Sequence, residues 1–185
     1  FEIQSLKSVD ALVPITEEDK NLLMPWVSKT KPVKSLPCGI DIETKLACDE
    51  GTPAKVDIAY LASFDWMPNV QGIEWFMHKV WPLVQQLNPK ASFYLGGRHM
   101  PSSFQKWEKR GVTLFHEVAD MREFICGAHI IIVPLLAGSG MRIKVIENMA
   151  LGKCQVSTTI GAEGVNIETG KDILLADSPE DFARA

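Results

Sequence analysis

The stretch IIIVPLLAGSGMRIKVIENMALGK, residues 130–153, contains the pattern that decides the fold of this chain. Its first four residues are apolar without alternation, which is typical of a central parallel strand that is buried on both faces. A glycine-containing loop follows, and residues 142–151 then have the composition of a helix that Gly152 ends. Strand, glycine loop and helix in this order predict one unit of a parallel α/β sheet.

The same alternation extends outward over residues 53–185. A broad apolar stripe over residues 70–87 predicts a long helix, in which we expect Pro82 to produce a kink. We predict six strands, at residues 56–61, 92–95, 112–115, 130–133, 155–158 and 173–175. Together these elements predict an α/β fold, a Rossmann-like parallel sheet with helices on both faces.

The first 52 residues predict a separate unit. Residues 10–15 form a short apolar run that suits a buried strand, and residues 33–36 suit a second one. Thr16 is a good N-cap for a helix with Leu22 and Trp26 on its apolar face. Residues 41–53 are polar and lack periodicity, so we interpret them as a linker.

Composition and local patterns disfavour several classes of protein. With 19 Lys and Arg against 23 Asp and Glu the net charge is −4, which disfavours nucleic acid as a partner. The longest apolar run has eight residues, far short of the roughly 18 that span a membrane. The four cysteines lack CxxC spacing, so we expect no metal site and four reduced, mostly buried thiols in a cytoplasmic protein. No G-x-G-x-x-G follows the first strand, which disfavours a nicotinamide dinucleotide.

The loop after the central strand is the first candidate for a ligand site, because open α/β sheets bind ligands beyond the carboxyl ends of their strands. Gly138 and Gly140 allow close approach of the backbone to a ligand. Arg142 and Lys144 place cations where the helix dipole favours an anion, which a bound diphosphate would explain. Glu147 can accept two hydrogen bonds from a ribose. The alternatives are a solvated basic face and a weak i,i+3 ion pair between Lys144 and Glu147.

Residues 138–153 resemble the nucleotide-sugar loop and helix of the family 4 (group 1) glycosyltransferases. The resemblance extends to residues 64–82, similar to the first βα unit of one branch of that family, and to residues 157–164, similar to the next loop. Residues 10–19 and 37–41 resemble the last unit of the family's first domain and its interdomain connection.

The resemblance implies one half of a GT-B fold, in which two Rossmann-like domains enclose the active site. Residues 1–52 would then be a remnant of the N-terminal acceptor domain with the linker, and residues 53–185 the nucleotide-sugar-binding domain, truncated at its C-terminus. The implied activity is transfer of a sugar from a nucleotide-diphosphate sugar to an acceptor hydroxyl in glycan biosynthesis, without metal or other cofactor. The acceptor would be a glycan, a lipid-linked molecule or a small molecule. The missing domain would make any peripheral contact with a membrane.

The site residues follow from the resemblance position by position. Glu147 matches the second of the family's two glutamates and would bind the ribose, whereas the first would fall at Ser139. The family often has an Arg and a Lys after its first strand; residues 63–69 have neither, so we infer that Arg142 and Lys144 neutralise the diphosphate. The full donor-binding set is Gly138, Ser139, Gly140, Met141, Arg142, Lys144 and Glu147. The residues expected to flank the base are Arg98, His116, Glu117 and Val118.

The catalytic base is expected in the missing domain, so no catalytic residue is assigned and the chain alone is expected to be inactive. Two alternatives remain. One is a sugar-nucleotide epimerase of the same fold. The other is a non-catalytic Rossmann-like module that binds a partner protein, which would be favoured if Arg142, Lys144 and Glu147 pointed away from the strand ends.

Overall fold

A six-stranded parallel sheet organises the computed structural model, which describes residues 2–40, residue 48, residues 53–138 and residues 140–185. The strand order is β3-β2-β1-β4-β5-β6. From β1 the chain adds β2 and β3 on one side, and it then crosses to add β4, β5 and β6 on the other side. Ligands of open α/β sheets bind at such a switch point, here between β1 and β4. This confirms the predicted fold class. The strands are β1 Val56–Leu61, β2 Phe93–Gly96, β3 Val112–Phe115, β4 Ala128–Val133, β5 Cys154–Ser157 and β6 Leu174–Leu175.

Helices cover both faces of the sheet. Along β1, Ile58 and Tyr60 pack into one hydrophobic core, whereas Ala59 and Leu61 pack into the opposite one, as the two-residue period of a strand requires. The α-helices are α1 Glu2–Ser5, α2 Glu17–Leu23, α3 Met67–Trp75, α4 Trp81–Leu87, α5 Met121–Cys126, α6 Ile143–Ala150 and α7 Pro179–Arg184. The short 3-10 helices are Met24–Trp26, Ser102–Arg110 and Ile160–Ala162.

The long predicted helix is present, but a π turn, Phe76–Val80, takes the place of a simple kink. The N–H of Trp81 donates to the carbonyl of Phe76, five residues back, immediately before Pro82. Because proline has no N–H, it interrupts the regular α-helical bonding here. The apolar stripe is confirmed: Phe76 and Trp81 are buried and pack against Phe93 of β2.

The N-terminal unit differs from the prediction. The two predicted strands are reduced to one parallel bridge between Leu12 and Val33, and the expectation of a buried strand is wrong, since Val13 is 61% exposed. Thr16 is the N-cap of α2, as predicted, and its hydroxyl accepts a hydrogen bond from the N–H of Asp19 at 2.9 Å. The predicted apolar face of this helix lies at the surface of the described part of the chain, where Leu22 is 72% exposed. The predicted linker lies largely outside the described residues.

The prediction of four reduced, mostly buried thiols is wrong. Cys48 and Cys126 form a disulfide with their Cα atoms 5.5 Å apart, although 78 positions separate them in the sequence. Cys38 and Cys154 are free and exposed. The backbone N–H of Cys48 also donates to the carbonyl of Leu151, which ties this position to the end of α6. The disulfide joins Cys48 to the end of α5, just before β4 begins, a proximity that cysteine spacing does not reveal.

Candidate functional site

A cavity of about 380 Å³ lies beyond the carboxyl ends of β1 and β2, against α6. Its walls come from the loop after β1 with the start of α3, the loop after β2, the loop before α5, and one face of α6. The polar and charged residues among those that line it are Ser63, Asn69, Arg98, Lys144, Glu147 and Asn148. Apolar walls with a few convergent polar groups are typical of a small-molecule site.

The structure brings four of the predicted site residues together in this cavity. Lys144 and Glu147 reach it from α6, Arg98 from the loop after β2, and Val118 from the loop before α5. Met141 lines a different cavity, between α6 and the N-terminal unit, and Glu117 lines one beside α5. The cavity that contains Lys144 and Glu147 is not lined by Gly138, Gly140, Arg142 or His116. Ser139 is outside the described residues.

Lys144 is anchored by an amide. Its Nζ donates to Oδ1 of Asn69 at 3.2 Å and lies 5.1 Å from the centre of the Tyr60 ring. Lys144 therefore donates its hydrogen bond to Asn69. The spacing also allowed an i,i+3 ion pair with Glu147, and the hydrogen bond to Asn69 takes its place. Burial, and next the charge of Arg142, lower the pKa of Lys144 to about 8, while Glu147 opposes the shift. An anionic ligand would stabilise this ammonium.

Arg142 is buried beneath the glycine loop, at the N-cap position of α6. Its Nε donates to the carbonyl of Ile160 at 3.2 Å, and its Nη2 lies 3.6 Å from a carboxylate oxygen of Glu163. A Cβ atom on Gly138 would lie 2.8 Å from Nη2, so the glycine lets the loop lie directly on the guanidinium. Burial lowers the pKa of Arg142, and Glu163 opposes this. Arg142 thus joins the loops after β4 and β5.

Asn69 and Tyr60 are further residues of this site, and neither is among those that the sequence predicts. Both are buried, and the hydroxyl of Tyr60 donates to Oδ1 of Asn69 at 2.9 Å, while Nδ2 of Asn69 donates to the carbonyl of Ser63 at 2.8 Å. One signal was available, because a tyrosine that is buried in a central strand needs a partner for its hydroxyl. The partner itself, nine residues further on, could not be read from periodicity.

Two further observations concern metals and membranes. Within residues 2–40, 48, 53–138 and 140–185, no group of three or more His, Cys, Asp or Glu side chains is placed to hold a metal ion. Among the helices described, none combines the length and apolarity needed to cross a bilayer.

Solved structures share this fold at low sequence identity. TarM superposes with a TM-score of 0.79 at 14% identity, over 98% of this chain and 36% of TarM. Anabaena Alr3699/HepE, in complex with UDP and glucose, gives 0.67 at 13% identity over 100% of this chain and 56% of its own. The pneumococcal O-GlcNAc transferase GtfA, in complex with UDP and GlcNAc, gives 0.71 at 13% identity over 99% and 38%. These matches show the fold.

A curated relative is longer than this chain. The "uncharacterized 44.6 kDa protein in cps region" of Klebsiella pneumoniae is 23% identical over 158 residues, which cover 80% of this chain and 41% of that protein. The chain therefore spans about two fifths of the length of this relative. The family model described as "Glycosyl transferases group 1" matches residues 55–185, the whole sheet and the helices around it. Because that match covers most of the chain, the chain belongs to the group 1 glycosyltransferases.

Proposed function

We propose that this chain is the donor-binding part of an enzyme that transfers a sugar from a nucleotide-diphosphate sugar to an acceptor hydroxyl. One observation carries the proposal: Lys144 and Glu147, from one face of α6, line the same cavity at the carboxyl ends of the strands. A cation and a carboxylate at this spacing suit the diphosphate and the ribose of one nucleotide. This placement also disfavours a partner-binding module, which would leave both side chains away from the strand ends.

The chemistry that these groups support is stabilisation of the leaving nucleoside diphosphate. Negative charge develops on the diphosphate as the sugar leaves, and a fixed ammonium in a partly dehydrated site stabilises that charge better than water does. Lys144 supplies this cation, so the proposal requires neither a metal nor another cofactor. Arg98 and Val118, which line the same cavity, would flank the base.

Arg142 would contribute through the glycine loop. Its Nε donates to the carbonyl of Ile160, and its Nη2 lies near the carboxylate of Glu163. By supporting Gly138 from below, it would hold the backbone of Gly138 in position for the donor phosphates or sugar. The direct contact with the diphosphate that the sequence predicts for Arg142 stays a prediction.

We extend the proposal to the N-terminal residues. Residues 1–52 would belong to the acceptor domain and its connection, and residues 53–185 to the donor domain. Exposed apolar side chains such as Val13, Leu22 and Trp26 suit a surface that more protein covers. A second cavity, of about 580 Å³, lies between residues 15–18 of this unit and the loop at residues 164–167, where an acceptor glycan, lipid-linked molecule or small molecule could approach.

Glycan biosynthesis in the cytoplasm is the setting that we propose for the enzyme. The disulfide between Cys48 and Cys126 bears on this, because a reducing compartment disfavours disulfides. Alkylating free thiols in intact cells before lysis therefore checks the compartment: in a cytoplasmic protein Cys48 and Cys126 should be alkylated, whereas a disulfide would protect both.

Calorimetry tests the binding proposal. UDP and GDP are the nucleotide probes, since relatives of this fold were solved with UDP, and uridine and free glucose are the controls. We expect a diphosphate to bind at submillimolar concentration and glucose not to bind. Lys144→Met should weaken diphosphate binding about tenfold and leave uridine binding unchanged, whereas Lys171→Met, at an exposed lysine paired with Glu168, should change neither.

The absence of any nucleotide binding at millimolar concentration would contradict the proposal, and so would equal losses for UDP and uridine in Lys144→Met. We expect negligible sugar transfer by this chain alone, because no catalytic base is assigned within it. Robust turnover would show that the acceptor domain is not needed.

A further inference from the structure

Asn69 connects three parts of the cavity wall. Its Oδ1 accepts hydrogen bonds from the Tyr60 hydroxyl of β1 and from Lys144 Nζ of α6, at 2.9 and 3.2 Å. Its Nδ2 donates to the carbonyl of Ser63, in the loop that follows β1, at 2.8 Å. With only 5% of its surface exposed, Asn69 makes these contacts out of bulk water.

This set of partners permits one orientation of the amide. The Ser63 carbonyl can only accept, so it must face the NH2 group of Asn69. The Lys144 ammonium can only donate, so it must face the amide oxygen. Turning the amide over would place two donors against each other and two acceptors against each other, so the oxygen that holds Lys144 is fixed in position.

Both groups that hold the ammonium are neutral. An amide oxygen accepts a hydrogen bond without cancelling the positive charge, and the face of the Tyr60 ring attracts a cation in the same way. Burial raises the pKa of the Tyr60 hydroxyl, so this group stays protonated. An ammonium has three donors, and the bond to Asn69 uses one, so Lys144 retains its charge and further donors for a ligand.

The other charges around Lys144 do not balance it. Arg98 lines the same cavity from the loop after β2, and Arg142 and Glu147 act on Lys144 from its own element. Glu147 is the one carboxylate among the described residues that line the cavity. Glu163 pairs with Arg142, and Asp65 lies close enough to Arg98 to interact with its charge. Among the charged residues that line the cavity, the cations Lys144 and Arg98 still outnumber Glu147, which favours an anion.

We propose that Asn69 is a positioning residue, anchored by Tyr60 and Ser63, that holds the Lys144 ammonium in place for the diphosphate of a nucleotide ligand. This inference rests on the proposed function for the identity of the ligand. The effect of Asn69 on Lys144 can be tested without that ligand, because a charged or missing acceptor at position 69 would change the pKa of Lys144.

The test compares Asn69→Asp and Asn69→Ser with the native chain. Titration of 13Cε-lysine resonances by NMR, with Lys144 assigned through Lys144→Met, measures the pKa of Lys144 in the free protein. A carboxylate at position 69 should raise that pKa by at least one unit, whereas a serine, too short to reach Nζ, should lower it. The exposed Asn88→Asp, which adds the same charge at the end of α4, is the matched control and should leave it unchanged.

Nucleotide binding provides the second measurement. Asn69→Asp should weaken UDP binding about tenfold at pH 7, because the new carboxylate competes with UDP for the ammonium. The alkaline pH at which UDP affinity declines should be higher in this variant than in the native chain. Asn69→Ser should weaken UDP as well, with the loss of affinity beginning at lower pH.

An unchanged Lys144 pKa in the folded Asn69 variants would overturn the inference, even if their thermal stability fell, since a purely structural role predicts that result. If Asn69→Asp does not fold, Asn69→Ser decides by the same criterion. The NMR titration needs no nucleotide. A native chain that fails to bind UDP therefore overturns the proposed function, whereas an unmoved pKa overturns the positioning role.

Discussion

The guanidinium of Arg142 lies 3.6 Å from the carboxylate of Glu163, and this contact joins the N-cap of α6 to the loop after β5. Arg142 is 6% exposed, so the pair is buried on one side. The sequence predicts Arg142 as a ligand of the diphosphate. In the structure, its described contacts are instead to the protein loops that surround the glycine segment.

Arg142→Ala should therefore destabilise the fold. The substitution removes one of the two donors to the Ile160 carbonyl, which also accepts from the N–H of Glu163, and it opens a space beneath Gly138. We therefore expect the free energy of unfolding to fall by about 2 kcal/mol in urea titrations. Arg184→Ala, which removes an exposed i,i+3 pair with Asp181, should cost less than about 0.5 kcal/mol. Unchanged stability together with a selective loss of UDP affinity would instead support the direct contact.

Glu147→Gln should weaken binding of the ribose. A hydrogen bond to a charged acceptor contributes about 1.5–3 kcal/mol, so we expect at least a tenfold loss of UDP affinity. The native chain should prefer UDP to its 2′,3′-dideoxy analogue, and the variant should lose most of that preference. Calorimetry with both ligands measures the difference, and Glu168→Gln, at an exposed carboxylate, is the control. A variant that retains the full preference would show that Glu147 does not contact the sugar hydroxyls.

Lys144 should make stability depend on alkaline pH. Burial lowers its pKa from 10.5 to about 8 in the folded chain, so between these values the unfolded chain binds more protons and the contribution to stability rises with pH. We expect the unfolding free energy of the native chain, relative to Lys144→Met, to increase from about pH 8 to about pH 10.5. Equal pH dependence in the two proteins would contradict the burial of this ammonium.

Lys55 should change the pH dependence of stability in the direction opposite to Lys144. A hydrogen bond to the Glu123 carboxylate raises the pKa of Lys55, so its contribution is present below the unfolded pKa and is lost as pH rises through the folded one. Lys55→Met should therefore remove a stabilisation that declines at high pH, whereas Lys144→Met should remove a destabilisation, the burial of a charged ammonium, that declines as pH rises.

The disulfide between Cys48 and Cys126 should stabilise the domain. Closing a loop of this length, with 78 positions between the cysteines, restricts the unfolded chain and can contribute about 4 kcal/mol in the chain-entropy description. We expect the double variant Cys48→Ser, Cys126→Ser to melt at a clearly lower temperature than Cys38→Ser, Cys154→Ser, in which both exposed thiols are replaced. Equal melting temperatures without reductant would show that the bond does not form.

Much of the fold could be predicted from the sequence, because its determinants are local. The apolar run at residues 130–133, the glycine loop after it and the N-cap residue Thr16 each specify structure through neighbours a few residues away. The same holds for the placement of Lys144 and Glu147, since three positions on a helix put two side chains on one face. The predictions failed where burial depends on distant parts of the chain, as at Val13 and Leu22.

The sequence by itself determined the alternation of strands and helices, the parallel sheet and the glycine loop at its carboxyl edge. Only the tertiary structure decided that Lys144 is held by Asn69, 75 positions away, that Arg142 turns toward Glu163, and that Cys48 meets Cys126. The reason is physical. Periodicity reports which face of an element is buried, whereas strand order and helix packing choose which loops meet, and those choices place each buried polar group beside its partner.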